Sequence, residues 1–323
     1  MMRCAWVEEF HDADPLAGLR LGDLAVEPPP GWVRVDVEAV SVNHHDVWSL
    51  RGVGLPADRL PMVLGTDAAG TDEHGRPVLV HAVLTPGEGG DGVEDETLHP
   101  RRTLLSERHH GTFAEHVWVP AGNLVERSPL LSAEHAACLP TAWLTAWRML
   151  TRHLGDAGSL LVQGATGGVA TAAIVLGHAL GHEVWATSRT EEGRAFAEGL
   201  GAHPLHPGAR LPSRVDGVIE TVGESTWAHS LAALRPGGTV VVAGATSGAM
   251  PPAELNRIFF RSLRVIGSTM GTRTELEVLQ RFVVDRHVTP VIAAVRPFEE
   301  LPEAIRALAE GRTRGKEIVR VRT

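Results

Sequence analysis

Between Ser41 and Trp48 the chain reads SVNHHDVW, so that an amide, two imidazoles and a carboxylate follow one another as Asn43, His44, His45 and Asp46. Adjacent histidines beside a carboxylate could hold a zinc ion. A histidine that titrates near neutrality could instead move a proton. The same polar run could also do no more than fix a loop through backbone hydrogen bonds.

A second group with chemical potential lies in GATGGVA, from Gly164 to Ala170, which follows the apolar SLLVQ and opens a helical pattern. A turn free of side chains lets backbone N–H groups approach a pyrophosphate at a helix N-terminus, where the helix dipole favours negative charge. Ala165 and Thr166 break the strict GxGxxG spacing. The strand–turn–helix setting is nevertheless that of dinucleotide binding, and Gly164, Ala165, Thr166, Gly167, Gly168 and Val169 are the expected cradle. The next apolar run ends in ATSRT. An NAD site usually has Asp or Glu at this tip, for the ribose 2′-hydroxyl. Ser188 and Arg189 stand there instead, and both can bind a 2′-phosphate. The expected cofactor is NADP(H).

These residues sit in a chain whose texture changes part-way. Up to about residue 125, short apolar runs alternate with Gly/Pro turns; in VRVDVEAV, Val33, Val35 and Val37 share one face of a half-buried strand. From Ser132, SAEHAACLPTAWLTAWRMLTRHLG predicts two helices broken at Pro140. Short buried strands then alternate with helices, the pattern of a doubly wound parallel sheet. In the helix after the glycine turn, Val169, Ala172, Ala173, Leu176 and Leu180 form one apolar stripe. The helix of TELEVLQRFVVD extends this α/β region. The last segment, with a short helix and a closing strand, is expected to return to the first domain. The expected boundaries are 1–125 with 290–323, around 126–289.

A chain of 323 residues fits two domains. Its net charge of -9 disfavours a nucleic-acid partner. Cys4 and Cys138 are the only cysteines, which excludes a four-thiolate zinc site and a disulfide framework within one chain. Few cysteines fit a reducing compartment, and no apolar run reaches membrane-spanning length. A cytoplasmic protein with a small-molecule substrate and no membrane partner is expected.

Taken together, SVNHHDVW, PMVLGTDAAG, GTFAEHVWVP, LPTAWLTAWRML, GATGGVA, LRPGGTVVVAGA and GKEIVRV resemble the medium-chain dehydrogenase/reductase superfamily over nearly the whole chain. The resemblance implies a GroES-like β-rich catalytic domain, a Rossmann domain, an active site in the cleft between them, and a homodimer paired through the nucleotide-binding sheet edges. It also places Thr145, Gly244, Ala245, Thr246, Ser268 and Met270 near the cofactor. Lys316, in GKE, matches a lysine common in the family and is grouped with the cofactor residues, a structural role being its alternative.

Many relatives of this kind bind catalytic zinc, yet at the matching positions this chain has Asn43, Thr66 with Asp67, and Thr141. Zinc binds such a set poorly, so no zinc is expected. The lobe at 85–111 has no cysteine and is long and acidic. Resemblance then points to the zinc-free quinone oxidoreductase and enone reductase branch. Asn43 would lie near the nicotinamide ribose and the reacting carbonyl, or only fix the loop. His45, where the zinc branch has its hydroxyl relay, would donate a proton. Asp46 reads as a loop anchor, His44 as solvent- or strand-facing, and His109-His110 as part of a solvated loop. Trp48, Trp143 and Trp147 could wall a flat pocket, with at least one of the latter two in the core. Two alternatives stay open: an alcohol dehydrogenase or carbonyl reductase whose metal site is rebuilt from His44, His45, Asp67 or His81, and a non-enzymatic, crystallin-like NADPH-binding protein.

Overall fold

The computed structural model describes residues 1–11, 13–87, 94–155 and 157–322. Residues 88–93 of the acidic lobe lie outside the described residues.

The β-rich half contains β1 (Met2–Val7), β2 (Leu19–Leu24), β3 (Val33–Ser41), α1 (His44–Leu50), β4 (Met62–Val63), β5 (Asp67–Asp72), β6 (Pro77–Val80), β7 (Val83–Leu84), β8 (Thr103–Leu104), β9 (His116–Val119), β10 (Leu124–Glu126) and α2 (Ala133–Ala137). Then come α3 (Leu144–Arg148), β11 (Ser159–Val162), α4 (Gly168–Ala179), β12 (Glu183–Thr187), α5 (Glu191–Gly199), β13 (His203–Leu205), β14 (Val215–Glu220), α6 (Glu224–Ala233), β15 (Leu234–Val242), α7 (Leu255–Phe260) and β16 (Arg264–Gly267). The chain closes with α8 (Arg273–Asp285), β17 (Ile292–Pro297), α9 (Leu301–Ala309) and β18 (Lys316–Arg320).

Two compact units result: Met1–Thr141 with Met270–Thr323, and Ala142–Thr269. The first is built on a sheet ordered β10-β6-β5-β3-β18-β17, with β9 also paired to β3. Val35, Val37, Leu64, Val80, Phe113 and Phe298 lie in its core. The alternation read in VRVDVEAV holds up to a bulge after Val37, beyond which Ala39, Val40 and Ser41 pair with Ala69, Ala68 and Asp67. From the other side β18 pairs antiparallel with β3, Ile318 opposite Ser41. The closing strand lies between β3 and β17, and β17 is a parallel neighbour that the sequence pattern does not reveal.

The second unit is a six-stranded parallel sheet, ordered β13-β12-β11-β14-β15-β16. Counted within the unit this is 3-2-1-4-5-6, the doubly wound order that binds dinucleotides at the strands' carboxyl ends. Leu161, Val218, Val240, Leu231 and Leu234 pack its core.

The unit boundaries differ from the expected ones at both joins. Helix α2 packs on β3 and β5, and α8 packs on β10. The α8 residue Gln280 donates to Glu126 O at 2.9 Å and accepts from Ser128 N at 3.0 Å, so α8 belongs to the β-rich unit rather than extending the α/β one. Pro140 does not produce a clean break. It lies in a π-helical turn, Leu139–Trp143, where the wider winding accommodates a residue that has no N–H to donate. Helix α4 is buried at Ala170–Ile174, Leu176 and Gly177, while Val169 and Leu180 are only half-buried. Its apolar surface therefore runs nearly all round rather than along one stripe. None of the described helices is long and apolar enough to cross a membrane.

Candidate active-site cluster and cofactor cradle

Asn43 stands between β3 and α1 in extended conformation, at φ -126 and ψ 158. Its N–H donates to Asp46 Oδ2 at 2.8 Å, and Asp46 N donates back to Asn43 O at 3.0 Å. This reciprocal pair closes the loop, which is the anchoring role read for Asp46. Burial pushes the Asp46 carboxyl up to about 6, against the opposing pull of His45 and the Asn43 N–H.

The residues at the three zinc-ligand positions converge in the first unit and bond to one another. Asn43 Nδ2 donates to Asp67 Oδ2 at 2.8 Å and to Thr66 Oγ1 at 3.2 Å, and Thr66 Oγ1 lies 3.0 Å from Thr141 Oγ1. Ser41 Oγ also donates to Asp67 Oδ2. Lys316 completes the cluster. Its ammonium donates to Asn43 Oδ1 at 2.5 Å, to Val42 O at 2.8 Å and to Asp67 Oδ2 at 3.4 Å. The sheet register explains the meeting: with Ile318 opposite Ser41 and Val42 N bonded to Glu317 O, Lys316 falls across from Asn43.

The network fixes the Asn43 amide, because an ammonium needs the oxygen and a carboxylate needs the N–H. Both amide hydrogens and all three ammonium hydrogens then have acceptors. Zinc does not fit these donors. Asn43 turns nitrogen rather than oxygen inward, Thr66 and Thr141 are neutral hydroxyls, and the engaged oxygen of Asp67 already takes three donors, one of them cationic. His44 is held below its ordinary value by burial and by the charge of Lys316. His81 bonds through Nε2 to Gly271 O at 2.8 Å, and burial lowers its pKa. Among the described residues, no three His, Cys, Asp or Glu side chains are grouped to hold a metal.

His45 has a partner that sequence reasoning missed. Its Nε2 lies 3.2 Å from Glu107 Oε1, and its Nδ1 lies 3.5 Å from Ser106 Oγ. Burial opposes its charge, but Glu107, Asp46 and Asp67 together hold its pKa above the ordinary value. His109 and His110 are half-buried rather than solvated: His109 packs against Trp32 with the ring planes tilted by 44°, and His110 Nδ1 accepts from Val63 N at 3.1 Å. Trp143 and Trp147 are both buried.

In the second unit, Gly164 sits at φ 78 and its N–H is taken by Thr187 Oγ1 at 3.0 Å. Thr187 in turn donates to Gln163 Oε1 at 2.9 Å, tying the turn to the tip of β12. Gly167 precedes α4 with no side-chain cap and open space where a Cβ would stand. The helix's first N–H groups are therefore free for an anion. At the β12 tip Ser188 is half-buried and Arg189 exposed. A Cβ on Gly193 would lie 2.1 Å from Ser188 Oγ, so only glycine leaves that hydroxyl its place. Arg194 Nη1 donates to the carbonyls of Ser188 and Arg189 at 3.1 and 3.3 Å, bracing the turn. Gly244, Ala245 and Thr246 follow β15, and Ser268 follows β16 with a buried Oγ that has no partner among the described residues. Thr145 is buried in α3. Met270 belongs to the first unit and holds φ 52, which is rare for a side-chain-bearing residue. An uncapped helix start, a glycine-shaped recess beside Ser188 and an orphaned hydroxyl after β16 fit a phosphorylated dinucleotide.

Residues 29–129 match the alcohol dehydrogenase GroES-like domain, and residues 168–285 match the zinc-binding dehydrogenase family. The second match contains none of Asn43, Thr66, Asp67 and Thr141. The chain is 30% identical to a probable acrylyl-CoA reductase of Escherichia coli over 97% of its own length and 98% of the relative's. It belongs to the medium-chain dehydrogenase/reductase superfamily. Within that superfamily of oxidoreductases it is also 26% identical to a putative quinone oxidoreductase of Bacillus subtilis, over 91% of each chain. The crystal structure of an NAD-dependent alcohol dehydrogenase superposes with a TM-score of 0.88 at 32% identity, covering 99% of this chain and 100% of that one.

Lys316 and Asp67 are 2% and 0% exposed, so removing the cation strands a buried carboxylate. Lys316→Met is expected to lower unfolding free energy by about 3 kcal/mol, read from urea denaturation. Adding Asp67→Asn should recover part of that loss. An unchanged urea midpoint in the single variant would show that the cluster is not a structural tie.

Proposed function

We propose that the chain is an NADPH-dependent reductase of conjugated carbonyl compounds, with an α,β-unsaturated thioester as its leading substrate class and quinones as the second. One observation carries the reading: the positions at which zinc relatives bind metal are here bonded to one another and to Lys316. A simple ketone would become a localised alkoxide, which calls for a Lewis acid. Addition of hydride to the β-carbon of an enone gives a delocalised enolate, which hydrogen-bond donors and a proton can satisfy. The likeness to an acrylyl-CoA reductase supports the thioester, and the likeness to a quinone oxidoreductase keeps quinones in view.

In this reading the free N–H groups at Gly167, Gly168 and Val169 take the pyrophosphate, and the Gly164–Thr166 turn leaves room for it. Ser188 and Arg189 take the 2′-phosphate. Gly244 to Thr246, Ser268 and Thr145 border the nicotinamide, and the Ser268 hydroxyl is the unpaired donor for its carboxamide. When bound, the reduced cofactor supplies the hydride. Asn43 has no amide hydrogen left to offer, so it holds the loop, and Lys316 acts through it rather than on the cofactor. His45 donates the proton.

The likeness to an alcohol dehydrogenase supports a second reading, oxidation of an alcohol with metal assistance. A panel of enoyl thioesters, enones, quinones and aldehydes, run with NADPH and excess chelator, separates the two. Turnover of an enoyl thioester or quinone that survives chelation is expected. Activity confined to aldehydes and restored only by zinc would overturn the proposal, and tight NADPH binding without oxidation by any member would point to a non-enzymatic protein. Arg189→Ala should weaken NADPH binding about tenfold, the loss of one charged hydrogen bond, and leave NADH unaffected. Equal affinity of the parent protein for both nucleotides would refute the 2′-phosphate assignment.

The same unit supports the pairing of two copies. Strand β16 is an unpaired sheet edge with Val265 46% exposed, next to α7 with Phe259 and Phe260 at 59% and 80%. Edges of this kind invite pairing with a second copy. Light scattering should give twice the 34.6 kDa chain mass, and Val265→Lys should shift it towards the monomer. A monomeric parent protein would remove the pairing from the account.

A further inference from the structure

The described part of the lobe at 85–111 brings two side chains, Glu107 and Ser106, to His45. Glu107 reaches His45 Nε2 with Oε1 at 3.2 Å, while its Oε2 accepts from Leu104 N at 2.9 Å and Thr103 Oγ1 at 3.0 Å. The carboxylate is therefore clamped by β8 and turned towards the imidazole. Ser106, fully buried, holds φ 67, a conformation that a serine keeps only when its surroundings enforce it. Its Oγ faces the other ring nitrogen at 3.5 Å. Opposite, Gly54 has φ 82, and a Cβ there would stand 3.7 Å from Glu107 Oε1.

We propose that Glu107 is the positioning residue for proton delivery: it holds Nε2–H of His45, so that the transferable proton is the one on Nδ1, on the Ser106 side. The inference rests on the conjugate-reductase reading for its substrate. The substrate's β-carbon gains a hydride from the reduced nicotinamide, and the C=C electron pair moves to the carbonyl as an enolate. The α-carbon then forms a C–H bond with the Nδ1 proton. The imidazolium becomes a neutral imidazole that keeps Nε2–H on Glu107, and a proton from water restores the charge. Substrate is reduced, nicotinamide is oxidised, and the glutamate stays ionised throughout, as the carboxylate of a carboxylate–histidine pair does.

Electrostatics agree with the geometry. Burial alone would raise the pKa of Glu107, but the bonds from His45, Leu104 N and Thr103 hold it below the ordinary carboxylate value. His45 faces Asp46 on its own helix, Asp67 on β5 and Glu107 beyond β8. Lys316 on β18 acts on Asp46 and His44. On α9, which packs against α1, Glu303 and Arg306 lie 3.8 Å apart, and Asp14 caps the turn at Pro15–Gly18. A proton donor with a raised pKa is charged below that pKa and lost above it. The rate limb that His45 governs must therefore fall as pH rises.

The test is Glu107→Gln in the full-length protein, beside Glu107→Asp. The glutamine oxygen can keep Leu104 N and Thr103, which turns its NH2 towards Nε2 and forces the neutral ring to carry its hydrogen on Nδ1. Imidazole 15N spectra should show the His45 midpoint moving down in Glu107→Gln, with Nε2 changed from donor to acceptor. This readout does not depend on knowing the substrate. With an active substrate, kcat should fall at least about tenfold with KM little changed, its alkaline limb should move to lower pH, and Glu107→Asp should recover part of the rate. An unmoved His45 midpoint in a folded Glu107→Gln protein would overturn the proposal, as would a shifted midpoint with an unaltered pH–rate profile. A parent protein that turns over nothing in the panel, yet shows the spectral shift, would sink the reductase reading and leave the Glu107–His45 coupling standing.

Discussion

An ammonium ion buried among backbone and amide oxygens constrains everything around it, because its hydrogens must all be accepted or the strand carrying it cannot stay. Lys316 meets that demand with Val42 O, Asn43 Oδ1 and Asp67 Oδ2. Two of these acceptors come from the residues that follow β3 and one from the start of β5, and they meet only in the register that sets Ile318 opposite Ser41 and Ser41 opposite Asp67. A one-residue slip would turn the lysine to the other face of the sheet. The loop of Asn43, His44 and His45 is thus set by the strand that closes the chain.

The same constraint bears on chemistry. A metal-binding set needs electron pairs converging on an empty point, whereas here amide hydrogens and an ammonium converge on a carboxylate. Such a site offers orientation and hydrogen bonding, and beside it the His45 imidazole is held by a clamped glutamate. In the α/β unit the reasoning is simpler. A parallel sheet ordered 3-2-1-4-5-6 presents a helix start without a side-chain cap at Gly167, and a glycine at position 193 leaves room for the Ser188 hydroxyl. Backbone donors are general for pyrophosphate; under the proposed function the serine and arginine at the β12 tip supply the selectivity.

Much of this was legible in the sequence where period and turn chemistry act locally. Alternation in VRVDVEAV, the glycine turn after SLLVQ and the polar run SVNHHDVW each declare an element or a site from neighbouring residues. What stayed hidden depends on long-range contact. Lys316 looked like a cofactor-side lysine because only the β18–β3 register reveals its partners. Glu107 lay in a lobe notable for acidity, and nothing local distinguished it from the other acids. Helix α8 read as part of the α/β run because its amphipathic period is the same whichever sheet it covers; Gln280, bonded to Glu126 and Ser128, settles the matter. Strand β13, three residues long, and the π-helical turn at Pro140 lie below what periodicity resolves.

The central claim is that hydride adds to the β-carbon of a conjugated carbonyl and that a protein-held, solvent-exchangeable proton completes the α-carbon. Reduction of an acrylyl thioester by NADPH in D2O, with chelator present and products analysed by NMR, addresses it directly. The account predicts a saturated thioester carrying one deuterium at the α-carbon and none at the β-carbon. An aldehyde or allylic alcohol, formed by hydride attack at the carbonyl carbon, would contradict it.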